Sequence, residues 1–227
     1  MRLDTLRPSQ AQQRWMGLAA IVGGVVGILY FPLHSLAYFA TEDGTEGPIK
    51  WSDSGRDLIE PLLDWDSADT VYRTYGKVYL VVVLGFLLGL VALRARRAGR
   101  VQGLERWAVR IALPGYTLLV VGAVVEYWTP YLDFGFVAFS APGVLLALLG
   151  STLLGIALVR RDAVARTGAW LLALSIPLLF AMTALVGHLS GGLLPLDLAW
   201  IVLGWWLWLG TGTEEREQLA SDGTLTG

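Results

Sequence analysis

The sequence predicts an all-α membrane protein, a bundle of six transmembrane helices. Of its 227 residues, 55% are hydrophobic and only 16% are charged, whereas soluble domains carry about 25% charged residues. The charges cluster between long apolar runs, as in membrane proteins. The run from Leu104 to Trp128 has the length of a transmembrane helix. Its 19 residues from Trp107 to Glu126 would form about 28 Å of helix, close to the roughly 30 Å core of a bilayer.

The six predicted helices follow one another along a single membrane domain, residues 15–211. They span residues 15–40, 70–93, 104–128, 134–159, 170–188 and 194–209. Residues 1–14 form a polar N-terminal segment and residues 212–227 a polar tail. A cleaved signal peptide is the alternative for the first run, because Ser35-Leu36-Ala37 resembles a cleavage site. The run is longer than the usual apolar region of about 7 to 15 residues, which favours a retained helix.

The one long connection, residues 41–77, is acidic and includes a loop at residues 41–69. Its nine carboxylates are Glu42, Asp43, Glu46, Asp53, Asp57, Glu60, Asp64, Asp66 and Asp69. Residues 57–65 could lie as a short segment in the membrane interface. Asp66 or Ser67 is then expected to cap the second helix.

Basic residues predict the orientation. Thirteen fall on one side of the six helices: Arg2, Arg7, Arg14, Arg94, Arg96, Arg97, Arg100, Arg106, Arg110, Arg160, Arg161, Arg166 and Arg216. The other side has four, Lys50, Arg56, Arg73 and Lys77. By the positive-inside rule both termini are cytoplasmic and the acidic loop is outside a plasma membrane. The preference for Arg over Lys also suggests a GC-rich prokaryotic genome.

Two helical hairpins, helices 2/3 and helices 4/5, look like parallel repeats. Helices 2 and 4 share a spacing of small residues, Gly85 to Gly89 and Ser151 to Gly155, and helices 3 and 5 share a Trp–Pro spacing, Trp107 to Pro114 and Trp170 to Pro177. The two prolines are therefore expected to bend their helices alike. Small residues are also the expected helix contacts in lipid, at Gly23 and Gly27, at Gly85 and Gly89, and at Ala147, Ser151 and Gly155.

Residues that could carry chemistry concentrate at the predicted outer boundary. The membrane centre offers only Thr117, Thr152, Ser175 and Thr183, which disfavours transport by buried charges. His34, Glu126 and His188 lie 19, 19 and 18 residues beyond the Trp that starts each helix, so they should share one depth. The predicted outer cluster comprises His34, Glu126, Tyr127, Tyr131, Asp133, His188 and Asp197, with Asp197 at its rim.

This cluster leaves several interpretations open. It could be a hydrogen-bonded structural cluster or a pocket for a small molecule or lipid headgroup. His34, His188 and Glu126 could hold Zn, Cu or Fe, and the two histidines could ligate a haem. A dyad of Ser140 and His188 is weaker, because no glycine frame surrounds the serine.

The expected function is a non-enzymatic membrane component that binds a lipid, a small ligand or a partner at the outer cluster. The alternative is a metal- or haem-dependent redox or hydrolytic protein that uses His34 and His188. Membrane lipid and another membrane protein are the expected partners. Nucleic acid is not expected, since no basic run is interleaved with aromatic residues. The absence of cysteine excludes disulfides and thiolate metal sites.

Overall fold

The computed structural model describes residues 8–46, 50–99, 101–161 and 165–209. These parts of the chain are helical and contain no strand. Five helices are long and apolar enough to cross a membrane, and a bent pair of helices makes a sixth candidate. An all-helical bundle is therefore confirmed, and its helices are compatible with membrane insertion. The terminal segments 1–7 and 210–227 lie outside the described residues.

We call the six candidate membrane-crossing units spans 1 to 6. The first three include the helices on either side of the acidic connection. Span 1 is α1 (Gln10–Tyr38), span 2 combines α4 (Ala68–Gly76) with α5 (Tyr79–Arg96), and span 3 is α6 (Leu104–Trp128). Between spans 1 and 2 lie a 3-10 turn (Asp43–Glu46), α2 (Lys50–Leu58) and α3 (Glu60–Leu63). Ser67 caps α4 by accepting a hydrogen bond from the Thr70 amide, which satisfies one of the free amides of the first helical turn.

The last three spans are less regular. Span 4 joins α7 (Leu132–Gly135), a π-helical turn (Phe136–Ser140) and α8 (Ala141–Arg161). Span 5 joins α9 (Arg166–Ala173) to α10 (Ser175–Val186), and span 6 joins α11 (Leu189–Gly192) to α12 (Leu194–Leu209).

Span 5 is bent by 69° between α9 and α10. Pro177 explains the break, because its ring excludes the carbonyl four residues earlier, at Ala173, and it donates no backbone hydrogen bond. Span 3 in contrast is one continuous helix across Pro114. The expectation that the two prolines bend their helices alike is therefore wrong.

The six spans pack in a closed ring that follows chain order. α1 packs on α5, α5 on α6, α6 on α8, α8 on α9, α9 on α12, and α12 returns to α1. Three large aromatic side chains fill the middle, with Trp200 within 6.4 Å of Phe86 and 5.9 Å of Tyr116, centroid to centroid. The Trp200 indole donates to the Tyr116 hydroxyl at 3.0 Å, and Ser151 lies 2.7 Å from that hydroxyl.

Small residues lie at the contacts between the helices, among them the predicted Gly23, Gly85 and Gly89. Gly23 of α1 lies against Gly85 of α5, and Gly89 makes room for the Trp200 ring. Gly115 and Gly150 bring α6 and α8 together, with Gly150 directly on the Ala112 backbone. Close approach of this kind is typical of helices that associate in lipid.

The end of the bundle opposite the histidines carries a charge network around the buried carboxylate of Glu105. The Arg97 guanidinium donates to both oxygens of Glu105, at 2.5 and 2.9 Å, and Arg161 reaches the same carboxylate at 3.4 Å. Arg97 follows span 2, Glu105 begins span 3 and Arg161 ends span 4, so the network joins three spans. Pairing compensates for burial of the carboxylate.

Candidate ligand-binding site at the histidine end

Neighbouring spans run in opposite directions, so their ends alternate around the ring. The ends of spans 1, 3 and 5 meet the beginnings of spans 2, 4 and 6, and we call this face the histidine end. It contains His34 from α1, Tyr72 and Tyr79 from span 2, Glu126 from α6, Ser140 from span 4 and His188 between spans 5 and 6.

His34 lies inside a group of aromatic rings. Its ring centroid is 4.7 Å from that of Tyr72, 4.6 Å from Tyr79 and 5.7 Å from Tyr127. The side chain is 2% exposed, and neither ring nitrogen has a hydrogen-bond partner. Buried polar atoms are rarely left without a partner, so this imidazole has free hydrogen-bonding capacity.

His188 is held by a turn. Gly187 ends α10 with a φ of 80°, a left-handed conformation that glycine adopts without strain. His188 then caps α11, and its Nδ1 accepts from the Ser190 amide at 3.2 Å. Because Nδ1 accepts, the neutral ring carries its proton on Nε2. Burial lowers the pKa of His188 to about 4, which keeps the ring neutral near pH 7.

Two serines extend the contacts of His188 toward α1. The Ser190 hydroxyl lies 2.7 Å from His188 Nδ1, and the Ser35 hydroxyl lies 2.7 Å from that of Ser190. Since Nδ1 is an acceptor, Ser190 donates to it and Ser35 donates to Ser190. This chain of hydrogen bonds joins spans 1 and 6 beside the two imidazoles, whose centroids are 5.3 Å apart.

Glu126 is oriented by the π-helical turn of span 4. The Ser140 hydroxyl at the end of this turn donates to Glu126 Oε1. Gly135 lies against the backbone and side chain of Glu126, where a Cβ would meet atoms at 2.8 Å. Ser140 therefore pairs with Glu126, and the proposed dyad with His188 is not formed. Single π-helical turns are frequent at functional sites.

Two adjoining cavities open at the histidine end. The wide cavity has a volume of about 690 Å³ and the narrow cavity about 100 Å³. Both are lined by Tyr72, Glu126, Phe136, His188 and Leu189. The narrow cavity continues inward to His34, Tyr79, Tyr127, Ser140 and Ser190. Glu126 is the one carboxylate among the described residues around the narrow cavity.

The wide cavity combines negative charge with aromatic surface. Its carboxylates are Asp43, Asp69, Glu126 and Asp133, and its one cationic side chain among the described residues is Arg73. Its aromatic side chains are Tyr38, Tyr72, Tyr131, Phe134 and Phe136. Carboxylates and ring faces both attract cations.

Six of the seven predicted cluster residues lie around these cavities. His34 and Tyr127 line the narrow cavity, Tyr131 and Asp133 the wide one, and Glu126 and His188 line both. His34, Glu126 and His188 thus line one cavity, and their role in binding a ligand stays a prediction.

Asp197 lies elsewhere, and its predicted place at the rim is wrong. Its carboxyl group packs on Gly27 of α1, seven residues or about 10 Å of helix below His34. Asp197 is 2% exposed and its Oδ1 has no partner. The reason is that span 6 begins at Leu189 rather than at Leu194, which moves Asp197 into the bundle.

The metal and haem interpretations gain no support from this geometry. Within the described residues, no three His, Cys, Asp or Glu side chains are arranged to hold a metal ion, so metal binding by His34, His188 and Glu126 stays a prediction without geometric support. A haem ligated by both histidines would have to lie between their rings. Those rings meet edge to face at 5.3 Å, the spacing of aromatic rings in direct contact.

Several important residues were missed by the sequence analysis. Tyr72 and Tyr79 are seven residues apart, a spacing that places them on one face of span 2 and could have identified them. Ser35 and Ser190 had no such signal, because their contact depends on how spans 1 and 6 pack.

Comparison with known proteins gives no further assignment. No protein-family model, curated protein or solved structure matches this chain.

Proposed function

We propose that this is a multi-pass membrane protein that binds a small organic cation, carried by a soluble amine or a lipid headgroup, at its histidine end. The observation that carries the proposal is the wide cavity, where four carboxylates and five aromatic rings surround a volume of about 690 Å³ with one arginine. Ligand pockets commonly have volumes of about 300 to 1,000 Å³.

Charge and ring surface act together on such a ligand. Each cation–π contact contributes about 0.5 to 2 kcal/mol, depending on how far the pair is desolvated. The excess of carboxylates attracts cations and repels anions of the same size. No catalytic step is part of the proposal, because binding alone accounts for these features.

Six spans with the histidine end outside a plasma membrane complete the proposal. The arginine-rich connections lie at the opposite end, which the positive-inside rule assigns to the cytoplasm. A ligand would then reach the wide cavity from the external solution or from the outer leaflet.

The test uses three small molecules of similar size and different charge. The purified full chain, in nanodiscs of phosphatidylglycerol, is titrated calorimetrically with ethanolamine, ethylene glycol and glycolate. We expect binding of ethanolamine alone. Equal binding of all three, or binding of glycolate alone, would contradict a cation site.

A charge-removal variant connects the binding to the cavity. Asp69→Asn with Asp133→Asn removes two carboxylates that line it and should weaken ethanolamine binding several-fold. Asp57→Asn is the matched control, because Asp57 is an exposed carboxylate of α2 that does not line the cavity.

A further inference from the structure

We propose that the narrow cavity binds the N–H groups of the ligand, so that the protein selects primary ammonium over quaternary ammonium. This inference rests on the proposed function and names the class of cation. It is carried by the polar atoms without partners that surround the narrow cavity.

Two residues supply these atoms. Both ring nitrogens of His34 have no hydrogen-bond partner, and the hydroxyl of Tyr79 has only Ser190 nearby, outside good hydrogen-bond geometry. Both residues line the narrow cavity. Their exposures are 2% and 8%. A neutral imidazole keeps one acceptor nitrogen and the phenol oxygen can also accept. A ligand with N–H donors would satisfy atoms that are otherwise buried without partners.

Glu126 supplies the charge. Its carboxylate lines both cavities, so a cation in the narrow cavity keeps its counter-charge while the rest of the ligand extends into the wide cavity. Ser140 uses one of its oxygens, but a carboxylate has about four acceptor sites. His34, Tyr79 and Glu126 thus offer three acceptors, the number of donors on a primary ammonium group.

Size favours the same ligand. The narrow cavity, about 100 Å³, is much smaller than the wide cavity of about 690 Å³. An ammonium group with one or two carbon atoms fits that volume. A trimethylammonium group is bulkier and has no N–H to donate.

The experiment compares ethanolamine, N,N-dimethylethanolamine and choline on the full chain in phosphatidylglycerol nanodiscs. Affinity should fall in that order, with about tenfold lost for each charge-assisted hydrogen bond removed. His34→Phe and Tyr79→Phe should each reduce the preference for ethanolamine over choline about tenfold. Tyr30→Phe is the control, because Tyr30 lies on α1 against Tyr75 and outside the cavity.

The outcomes separate this inference from the proposed function. Equal affinity for choline and ethanolamine in the unmodified chain would overturn the inference and leave cation binding intact. Absence of binding by all three would overturn both. The unmodified chain decides the question even if a variant does not fold.

Competition by lipids in the nanodiscs shows whether the ammonium group comes from a lipid or from a free amine. If phosphatidylethanolamine in the nanodiscs reduces the apparent affinity for ethanolamine, while phosphatidylcholine does not, the ammonium comes from the lipid headgroup. If neither lipid competes, the ligand is a free amine. Competition by phosphatidylcholine alone would contradict the selectivity.

Discussion

At the scale of single residues, Gly76 makes the position of Tyr127 possible. A Cβ at position 76 would overlap the Tyr127 ring, which in turn packs against His34 and Tyr72. Gly76→Val should therefore destabilise the protein by about 1 to 3 kcal/mol, as overpacking does, and weaken ethanolamine binding. Thermal unfolding and calorimetry measure the two effects. The control is Thr74→Val on the same helix, and equal behaviour of the two variants would show that the tyrosine is not held this way.

The pH dependence of stability should reflect His188. Its folded pKa of about 4 lies below the usual value near 6.5, so the folded state binds fewer protons than the unfolded state. The stabilisation is therefore present above about pH 6.5 and is lost as the pH falls toward 4. His188→Asn keeps an N-cap acceptor and should remove this pH-dependent part of the stability. Unfolding temperatures of both proteins from pH 7 to pH 4 should differ less as the pH falls, and a constant difference would contradict the assignment.

Asp197 should tolerate loss of its charge. Its Oδ1 has no partner, and no described cationic side chain forms an ion pair with it. A carboxylate at such depth is costly, so Asp197→Asn should leave the unfolding temperature unchanged or raise it. A fall of several degrees would show that the carboxylate has a partner, such as a bound cation. Glu105→Gln is the contrasting variant and should destabilise, because Glu105 pairs with Arg97.

Counting residues along each predicted helix placed the central residues of the site correctly, but it failed for Asp197. His34 and Glu126 lie near the ends of α1 and α6, and His188 follows α10. Counting residues from the tryptophan near the start of each helix placed them at one level. Counting failed for Asp197 because α11 adds a turn before α12, and hydropathy does not detect so short a helix. Ser140 and Glu126 meet through the π-helical turn, whose register depends on packing and not on composition.

At the scale of helices, apolar length was an accurate guide. The predicted bounds 104–128 agree with α6. The predicted bounds 194–209 agree with α12 but omit α11, with which span 6 begins. Length could not predict the break at Leu174, since Pro114 and Pro177 occupy similar sequence contexts but only span 5 is interrupted. The relation of hairpins 2/3 and 4/5 as repeats stays a prediction.

The contact between α6 and α8 should be sensitive to volume at Gly150. A Cβ there would overlap the Ala112 backbone, which cannot move aside like a flexible side chain. Gly150→Val should separate the two helices and lower stability by about 1 to 3 kcal/mol. Leu145→Ala on the same helix is the control, because Leu145 is 71% exposed and would face lipid. Equal unfolding temperatures of Gly150→Val and the unmodified chain would contradict this packing.

At the scale of the whole molecule, the ring of spans separates two kinds of polar chemistry. One end has the Arg97–Glu105–Arg161 charge network, and the other has carboxylates, tyrosines and two imidazoles. The chain passes from one end to the other six times if the bent pair counts as one span. The sequence predicted this division from the distribution of arginine. Arginines between the helices mark one end of the bundle however the helices pack.

Topology can be tested by labelling single cysteines, since the chain has none. Thr45→Cys in the acidic connection should react with a membrane-impermeant reagent in intact cells. Asp222→Cys, in the tail outside the described residues, should react only after the membrane is opened. Reaction of position 222 in intact cells would contradict cytoplasmic termini.

The binding of an ammonium group at the histidine end is the central claim, and Glu126 gives its most direct test. Glu126→Gln keeps an oxygen that can accept from Ser140 but removes the one carboxylate shared by the two cavities. The dissociation constant of ethanolamine, measured by calorimetry in phosphatidylglycerol nanodiscs, should rise at least about tenfold in this variant, as expected for loss of a charge-assisted contact. The same constant in Glu126→Gln and in the unmodified protein would contradict the claim.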